Sequence, residues 1–369
     1  MGDLQKTKDD IKAGRTPMRG VNLGGWLVAE HWMTASSPAW NGVPTDYADR
    51  GEYITMKYLG HSKGDGQFDQ HRKTFITEED FAEIGSYGLN TVRIPIGYWI
   101  TGFDHSPGGD PDGYKMWAPG AIGYLDKAIK EWGPKHNVLV LISIHAAKGS
   151  QNGNDHSSPE DPGHSYWSKY PENVNNTLDL VQWLAARYKN DLGFLGIGLL
   201  NEPVDQDEAV LKQYYYDAYG RIRKDVGSDC LLSISPMLSE QQPGQGGWDS
   251  FMTSGFTNVR HEWHKYLVWG FDGWDPEKII DFTKNTLVND FTGWHGNPLF
   301  VGEWSLAAAS GMNDDQMRRF SQAELATFGQ THAKGGWTFW AWKQYGDTGA
   351  GKNGWSAKQM FHAGFLPKQ

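Results

Sequence analysis

A chain of 369 residues with 38% hydrophobic content is long enough to bury a large core, and its single cysteine, Cys230, excludes an intrachain disulfide as a support for it. The net charge of −10 argues against a nucleic acid partner, which needs a concentrated basic face, and no stretch approaches the apolar length of a membrane span. The 18 Trp, 16 Tyr and 16 Phe beside 46 Gly exceed what filling a core requires, and flat indole faces suit the C–H faces of sugars.

Along the chain, Met1 to Arg15 is polar and charged and carries no signal-peptide core, so residues 1–18 are expected to be an N-terminal extension to one domain over 19–369. Strand-like apolar runs then recur at Gly20–Gly25, Asn90–Ile96, Val138–His145, Phe194–Asn201, Cys230–Pro236, Val259–Tyr266, Leu299–Trp304 and Gly336–Trp342. Helical periodicity lies between most of them, over Thr77–Tyr87, Pro119–Trp132, Val174–Tyr188, Asp207–Val226, Pro276–Phe291 and Asp314–Ala333. Two of these helices open on good caps, Thr77-Glu78-Glu79-Asp80 and Asn313-Asp314-Asp315. Strand alternating with helix predicts a parallel sheet, and eight strands in this length predict a closed (β/α)8 TIM barrel of the α/β class. An open doubly wound sheet is the alternative, but no glycine-rich phosphate turn follows an early strand. The long polar segments His31–Gln70, Thr101–Trp117, Ala146–Glu172 and Ser239–Thr257 fall where a barrel places its active face.

Two apolar runs end on an acid: Phe194 to Leu200 leads into Asn201-Glu202-Pro203, and Pro298 to Gly302 into Glu303-Trp304. A strand core has no reason to end on a carboxylate unless that group faces a cleft, and two such groups suggest the acid and the nucleophile of a glycosidase. The bland reading, a strand-end glutamate paired to a nearby cation, suits either one alone better than both. Arg93 stands inside the apolar run Asn90–Ile96, a costly place for a charge without a carboxylate partner, and either glutamate could serve. His145, His264, Tyr266, Trp340 and Trp342 also fall at strand ends. A metal-dependent hydrolase could draw on His145, His261 and His264, but neither a His-x-His pair on the first strand nor a His-Glu-x-x-His helix is present.

These residues resemble glycoside hydrolase family 5, over nearly the whole span from Arg19 to Trp342. The likeness rests on Asn201-Glu202-Pro203, Arg93, His145, His264-Lys265-Tyr266 and Glu303. Within that family the sequence is similar to the fungal exo-β-1,3-glucanases, through Gly20-Val21-Asn22-Leu23-Gly24-Gly25-Trp26-Leu27-Val28 and Gly149-Ser150-Gln151-Asn152-Gly153 followed by Asp155. The resemblance implies a retaining enzyme with Glu303 as nucleophile, held ionised by Arg93 and Tyr266. Glu202 would be the acid/base, with its proton affinity raised by Glu303 and adjusted by His264. Asn201 would bind the sugar 2-hydroxyl, Glu30, His145 and Asp155 the other hydroxyls, and Trp340 or Trp342 would form the stacking floor. No cofactor and no metal are implied. The implied partner is a β-glucan or β-glucoside, handled by a monomer.

The departures fall around the leaving sugar. The aromatic residue of the family pattern before Asp155 is Asn154 here, which leaves Trp269 as one half of an aromatic clamp, and the residues after Glu30 and His145 also differ, at His31 and at Ala146-Ala147-Lys148. A different aglycone, as in a diglycosidase, and a non-catalytic glucan-binding barrel are therefore the alternatives to exo action on β-1,3-glucan. An inverting enzyme would need wider-spaced carboxylates. The resemblance and the triplet Asn175-Asn176-Thr177 favour a secreted protein whose leader is absent from this sequence, with a cytoplasmic one as the alternative.

Overall fold

The computed structural model describes residues 2–102, 114–330 and 334–369. Part of the expected loop Thr101–Trp117 and the end of the expected helix Asp314–Ala333 lie outside them. Eight parallel strands close into a barrel in sequence order: β1 (Met18–Asn22), β2 (Thr91–Gly97), β3 (Leu139–Ala146), β4 (Phe194–Gly198), β5 (Leu231–Ile234), β6 (Val259–His264), β7 (Leu299–Glu303) and β8 (Gly336–Phe339). β8 returns to pair with β1, with Met18 opposite Gly336. Each strand overlaps one of the apolar runs read from the sequence; β1 begins two residues earlier than expected, at Met18, and β2 and β3 each end one residue later, at Gly97 and Ala146. The helices between them follow the expected order, and both acid-rich starts form capping boxes, Thr77 with Asp80 and Asn313 with Gln316.

Side chains alternate across each strand, so the even-spaced set of one strand faces the barrel axis. On β3 that set is Leu139, Leu141, Ser143 and His145, while Val140, Ile142 and Ile144 face the surrounding helices. The axis therefore changes character along its length. Met18, Leu139, Leu141, Leu195, Leu231 and Phe300 form an apolar layer at the amino-terminal end, and Leu4 and Ile11 of the helix Gly2–Lys12 pack beneath it. The expected extension is thus a helix that closes the barrel floor. Arg260 fastens its end by donating to the carbonyls of Ile11 (2.8 Å) and Lys12 (3.1 Å), groups that have no partner within the helix itself.

The segment 31–70, expected to be a polar loop, is largely helical, including Glu52–Leu59 and the start of His61–Phe75. Its sequence hides this, because glycines and charges interrupt the apolar rhythm. The buried face of the second helix is Gly64, Phe68, His71, Arg72 and Phe75, and Arg72 reaches a carboxyl oxygen of Glu52 at 3.1 Å with both side chains 1% exposed. Trp40, Met56 and Phe68 give the insertion a small core of its own.

The triplet Asn175-Asn176-Thr177 lies inside the helix Pro171–Tyr188, with the acceptor Asn175 exposed and Thr177 fully buried, its hydroxyl donating to Asn173 O. No helix among the described residues is long and apolar enough to cross a membrane.

Because Leu4 closes the floor, Leu4→Ala should lower the unfolding free energy by about 2–5 kcal/mol in a urea titration. Turnover per folded molecule should stay unchanged, since the cavity described below opens at the other end.

Candidate active site

At the carboxyl ends of the strands a cavity of about 690 Å³ is lined by Glu30, Trp32, His145, Asn154, Asp155, His156, Glu202, Leu238, His264, Tyr266, Trp269, Glu303, Trp340 and Trp355. Its base is a buried charge cluster centred on Arg93. One guanidinium nitrogen donates to Glu303 Oε1 (3.1 Å) and Asn22 Oδ1 (2.9 Å); the other donates to Asn201 Oδ1 (2.7 Å) and forms an ion pair with Glu262 Oε1 (2.8 Å). Asn22 is itself anchored through its amide to the carbonyl of Gly302 at 2.9 Å. Glu303 is therefore the partner that the buried arginine required, and Glu262 is a second one.

Glu262 was not visible as a site residue, although strand alternation places it on the same face as His264. Its carboxylate takes hydrogen bonds from Ser233 and from His264 Nε2 (3.1 Å). Burial alone would raise its proton affinity, but Arg93 and His264 outweigh that and hold it down at about 2. The backbone makes room for it: a Cβ on Gly302 would lie 2.1 Å from Glu262 Oε1, so glycine is required there by contact.

β4 stops at Gly198, and Asn201 and Glu202 sit just past it, over the cavity. Glu202 has φ +44°, a left-handed conformation that costs a non-glycine residue about 1–3 kcal/mol and needs outside support. The motif loop after β3 supplies that support. Gln151 donates to the carbonyls of His145 (2.7 Å) and Asn201 (2.9 Å), and Asn152 to that of Glu202 (3.2 Å). Asn201 Nδ2 is buried without a partner, a donor left free for a ligand oxygen.

The β6–β7 register sets His264 beside Glu303. His264 Nδ1 lies 2.7 Å from Glu202 Oε1 and 3.5 Å from Glu303 Oε2, and Tyr266 Oη donates to Glu303 Oε2 at 2.8 Å. Oxygens of the two carboxylates approach within 4.8 Å. Separations of about 5–5.5 Å suit direct attack on the anomeric carbon, whereas about 6.5–9.5 Å is needed to seat a water between sugar and base.

The proton distribution departs from expectation. Burial lowers His264, but Glu303 and the hydrogen bonds to Glu202 and Glu262 overcome it and raise the imidazole to about 10. Burial raises Glu202, but the hydrogen bond and charge of His264, with His156 and Arg93, bring it down to about 2. Glu202 was expected to be raised by Glu303; that repulsion is smaller than the attraction of a charged imidazole in direct contact. Without sugar, the proton of this pair rests on His264. Glu303 is raised by burial, which exceeds the opposing charges of His264 and Arg93.

Of the remaining expected residues, Glu30 is 2% exposed, takes a hydrogen bond from Trp32 Nε1 (2.8 Å) on one oxygen, and has its other oxygen buried without a partner. Burial and Asp155 raise it well above the usual carboxylate range. Asp155 lines the same wall, and Trp340 stacks on His145 with ring centroids 5.6 Å apart and 5° between planes. Burial, then Arg93, pushes His145 well below the ordinary histidine value, so it is a neutral hydrogen-bonding group.

Trp342 is not part of the floor. β8 ends at Phe339, so alternation no longer governs residue 342, and its indole N–H is turned away to Asp80 at 2.8 Å. Trp269, 68% exposed, stands at the rim edge-on to Tyr266, and Trp355 and Trp32 continue the aromatic wall. Trp32 could have been noticed beside Glu30; Trp355 follows the last strand and carries no signal of its own. His261 faces outward from β6 onto Trp294 and Trp248, which separates it from His145 and His264 and removes the three-histidine arrangement.

A closed (β/α)8 barrel with two close carboxylates at its carboxyl-end mouth has the arrangement that glycoside hydrolysis requires, and comparison with known proteins shows an O-glycosyl hydrolase. The sequence matches the family described as Cellulase (glycosyl hydrolase family 5) over residues 56–346. It is 32% identical to a glucan 1,3-beta-glucosidase of Schwanniomyces occidentalis, over 88% of this chain and 83% of the relative, and 31% identical to a glucan 1,3-beta-glucosidase of Blumeria graminis, over 95% and 87%. In fold it is similar to the crystal structure of rutinosidase from Aspergillus niger, with a TM-score of 0.76 at 19% identity, covering 96% of this chain and 99% of that one. The chain belongs to glycoside hydrolase family 5.

The charge cluster has a measurable pH signature. A raised histidine contributes its full stabilisation below the ordinary value of 6.5 and loses it as pH climbs through about 10. Unfolding free energy should therefore fall across that interval. Glu262→Gln removes one of the carboxylates that hold the His264 proton, so the fall should be visibly shallower in urea titrations of the variant.

Proposed function

We propose that the enzyme hydrolyses β-glucosidic bonds with retention of configuration, acting from chain ends on β-1,3-glucan or a closely related β-glucoside. The observation that carries the reading is the approach of the Glu202 and Glu303 carboxylates to within 4.8 Å, with Glu303 tied to Arg93 and Tyr266. Glu303 attacks the anomeric carbon as the glycosidic C–O bond breaks, and the leaving oxygen takes the proton held between His264 and Glu202. Glu202 then accepts a proton from water as the water displaces Glu303 and the sugar departs. Asn201 Nδ2, buried and unpartnered, meets the 2-hydroxyl, where a hydrogen bond strengthens as positive charge develops on the ring. Glu30, His145 and Asp155 hold the other hydroxyls, and Trp340 supports the ring face. The linkage comes from the two glucan 1,3-beta-glucosidase relatives.

A second reading, a diglycosidase, is favoured by one local observation. Asn154 and Leu238 share the cavity with Trp269, so the leaving-group side presents a single outer aromatic face where a glucan clamp would offer two. Laminarin and rutin separate the readings: glucose released from laminarin supports the first, and disaccharide released from rutin, with laminarin untouched, supports the second. Retention requires the β-anomer to appear first by proton NMR.

The assigned roles have a chemical test. Glu303→Ala and Glu202→Ala should each lose most activity while staying folded. Azide should rescue turnover of an activated aryl β-glucoside in both, giving the α-glycosyl azide with Glu303→Ala and the β-glycosyl azide with Glu202→Ala. The same anomer from both variants would reject the assignment.

A further inference from the structure

Glu202 touches two histidines, and the mechanism above uses one. His264 occupies Oε1 at 2.7 Å, whereas His156 presents Nε2 to Oε2 at 3.5 Å. His156 comes from the short turn Asp155–Ser157 in the loop after β3, a different wall from His264, and its side chain is 20% exposed. At that length, and with no hydrogen bond formed, the contact is one of charge and orientation. Oε2 is thus kept near an imidazole nitrogen while its lone pair stays open to the glycosidic oxygen and later to the attacking water. The ring is held in place by an edge-on contact with His145 at 5.6 Å, and His145 in turn lies on Trp340. The His156 Nδ1 is buried without a partner, so the carboxylate is the polar group that the ring addresses.

We propose that His156 is a positioning residue for the acid/base: by facing Glu202 Oε2 it orients that oxygen toward the leaving group and tunes how firmly the carboxyl holds its proton. The inference rests on Glu202 being the acid/base. The other groups facing Glu202 are His264 from β6, Glu303 from β7, Arg93 from β2, and Tyr266 and Glu30 at the rim. Those facing His156 are Glu202 and His145, with Asp155 as its neighbour in the turn. His156 is the member of this set that faces Oε2 from the loop side, and it is among the groups that favour the ionised carboxylate of Glu202, the form needed when water attacks.

The sign of the effect follows. Removing His156 takes away a stabiliser of the carboxylate, so the acid/base holds its proton to higher pH. In His156→Asn the basic limb of kcat/KM on an aryl β-glucoside should move up by about one unit, the low end of what an opposite charge at this range produces. The loss of kcat should be larger for glucosides with poor leaving groups than for activated ones, with KM little changed. A uniform loss across leaving groups with an unmoved limb would reduce His156 to a structural part and overturn the proposal. A rise in KM alone would make it a sugar ligand and overturn it equally.

A second measurement keeps the question open to refutation if His156→Asn fails to fold. His156→Gln, which keeps a polar side chain on the turn without an imidazole, should show the same selective loss on glucosides with poor leaving groups. A dependence on leaving group equal to that of wild type would reject the contact. Activity of Glu202→Gln separates the two layers of the argument: an active variant refutes the acid/base assignment, whereas an inactive one beside a His156→Gln with wild-type leaving-group dependence refutes this inference alone.

Discussion

A guanidinium buried on the barrel axis is the constraint from which the rest of the site follows. Arg93 is 1% exposed, and a cation so far from water persists only when carboxylates and carbonyl-type oxygens surround it. Glu303 and Glu262 supply the charge, and Asn22 and Asn201 supply oxygens set by the planar fork of the side chain. Each partner is then fixed in turn. Glu262 needs the empty space over Gly302, Asn22 ties the first strand to the seventh and eighth, and Asn201 carries Glu202 into position. The geometry of the two carboxylates is thus a by-product of satisfying one buried cation.

The same cluster decides where protons sit. Three acidic groups, Glu202, Glu262 and Glu303, surround two cationic groups, Arg93 and a raised His264, and the charge of His264 holds Glu202 low. The two groups are joined directly, His264 Nδ1 to Glu202 Oε1 at 2.7 Å, so the proton affinity of each depends on the charge of the other.

What could be read from the sequence divides along physical lines. Features that depend on local pattern were legible: the apolar runs of the eight strands, Glu202 and Glu303 as acids ending such runs, and Arg93 as a charge too costly to stand alone. Features that depend on the closure of the barrel were not. Glu262 reads as an ordinary strand residue until β7 brings Gly302 against it, and Trp355 comes from beyond the last strand to complete a wall begun by Trp32. The helices between 31 and 75 were hidden because their buried faces carry Gly64, His71 and Arg72 in place of aliphatic residues. Trp342 was misjudged because period-two reasoning was carried past the end of β8, and the direction of the Glu202 shift was misjudged because it turns on a single 2.7 Å contact with a residue 62 positions away.

The closed floor has a consequence for traffic. Beneath the cavity lie the ion cluster, then a layer of leucine and phenylalanine, then the helix Gly2–Lys12, which together fill the axis among the described residues. Whatever is cut must therefore leave through the mouth by which it came. With the floor packed in this way, the mouth bounded by Trp32, Trp269 and Trp355 is the route that remains to the cavity for entry and exit alike.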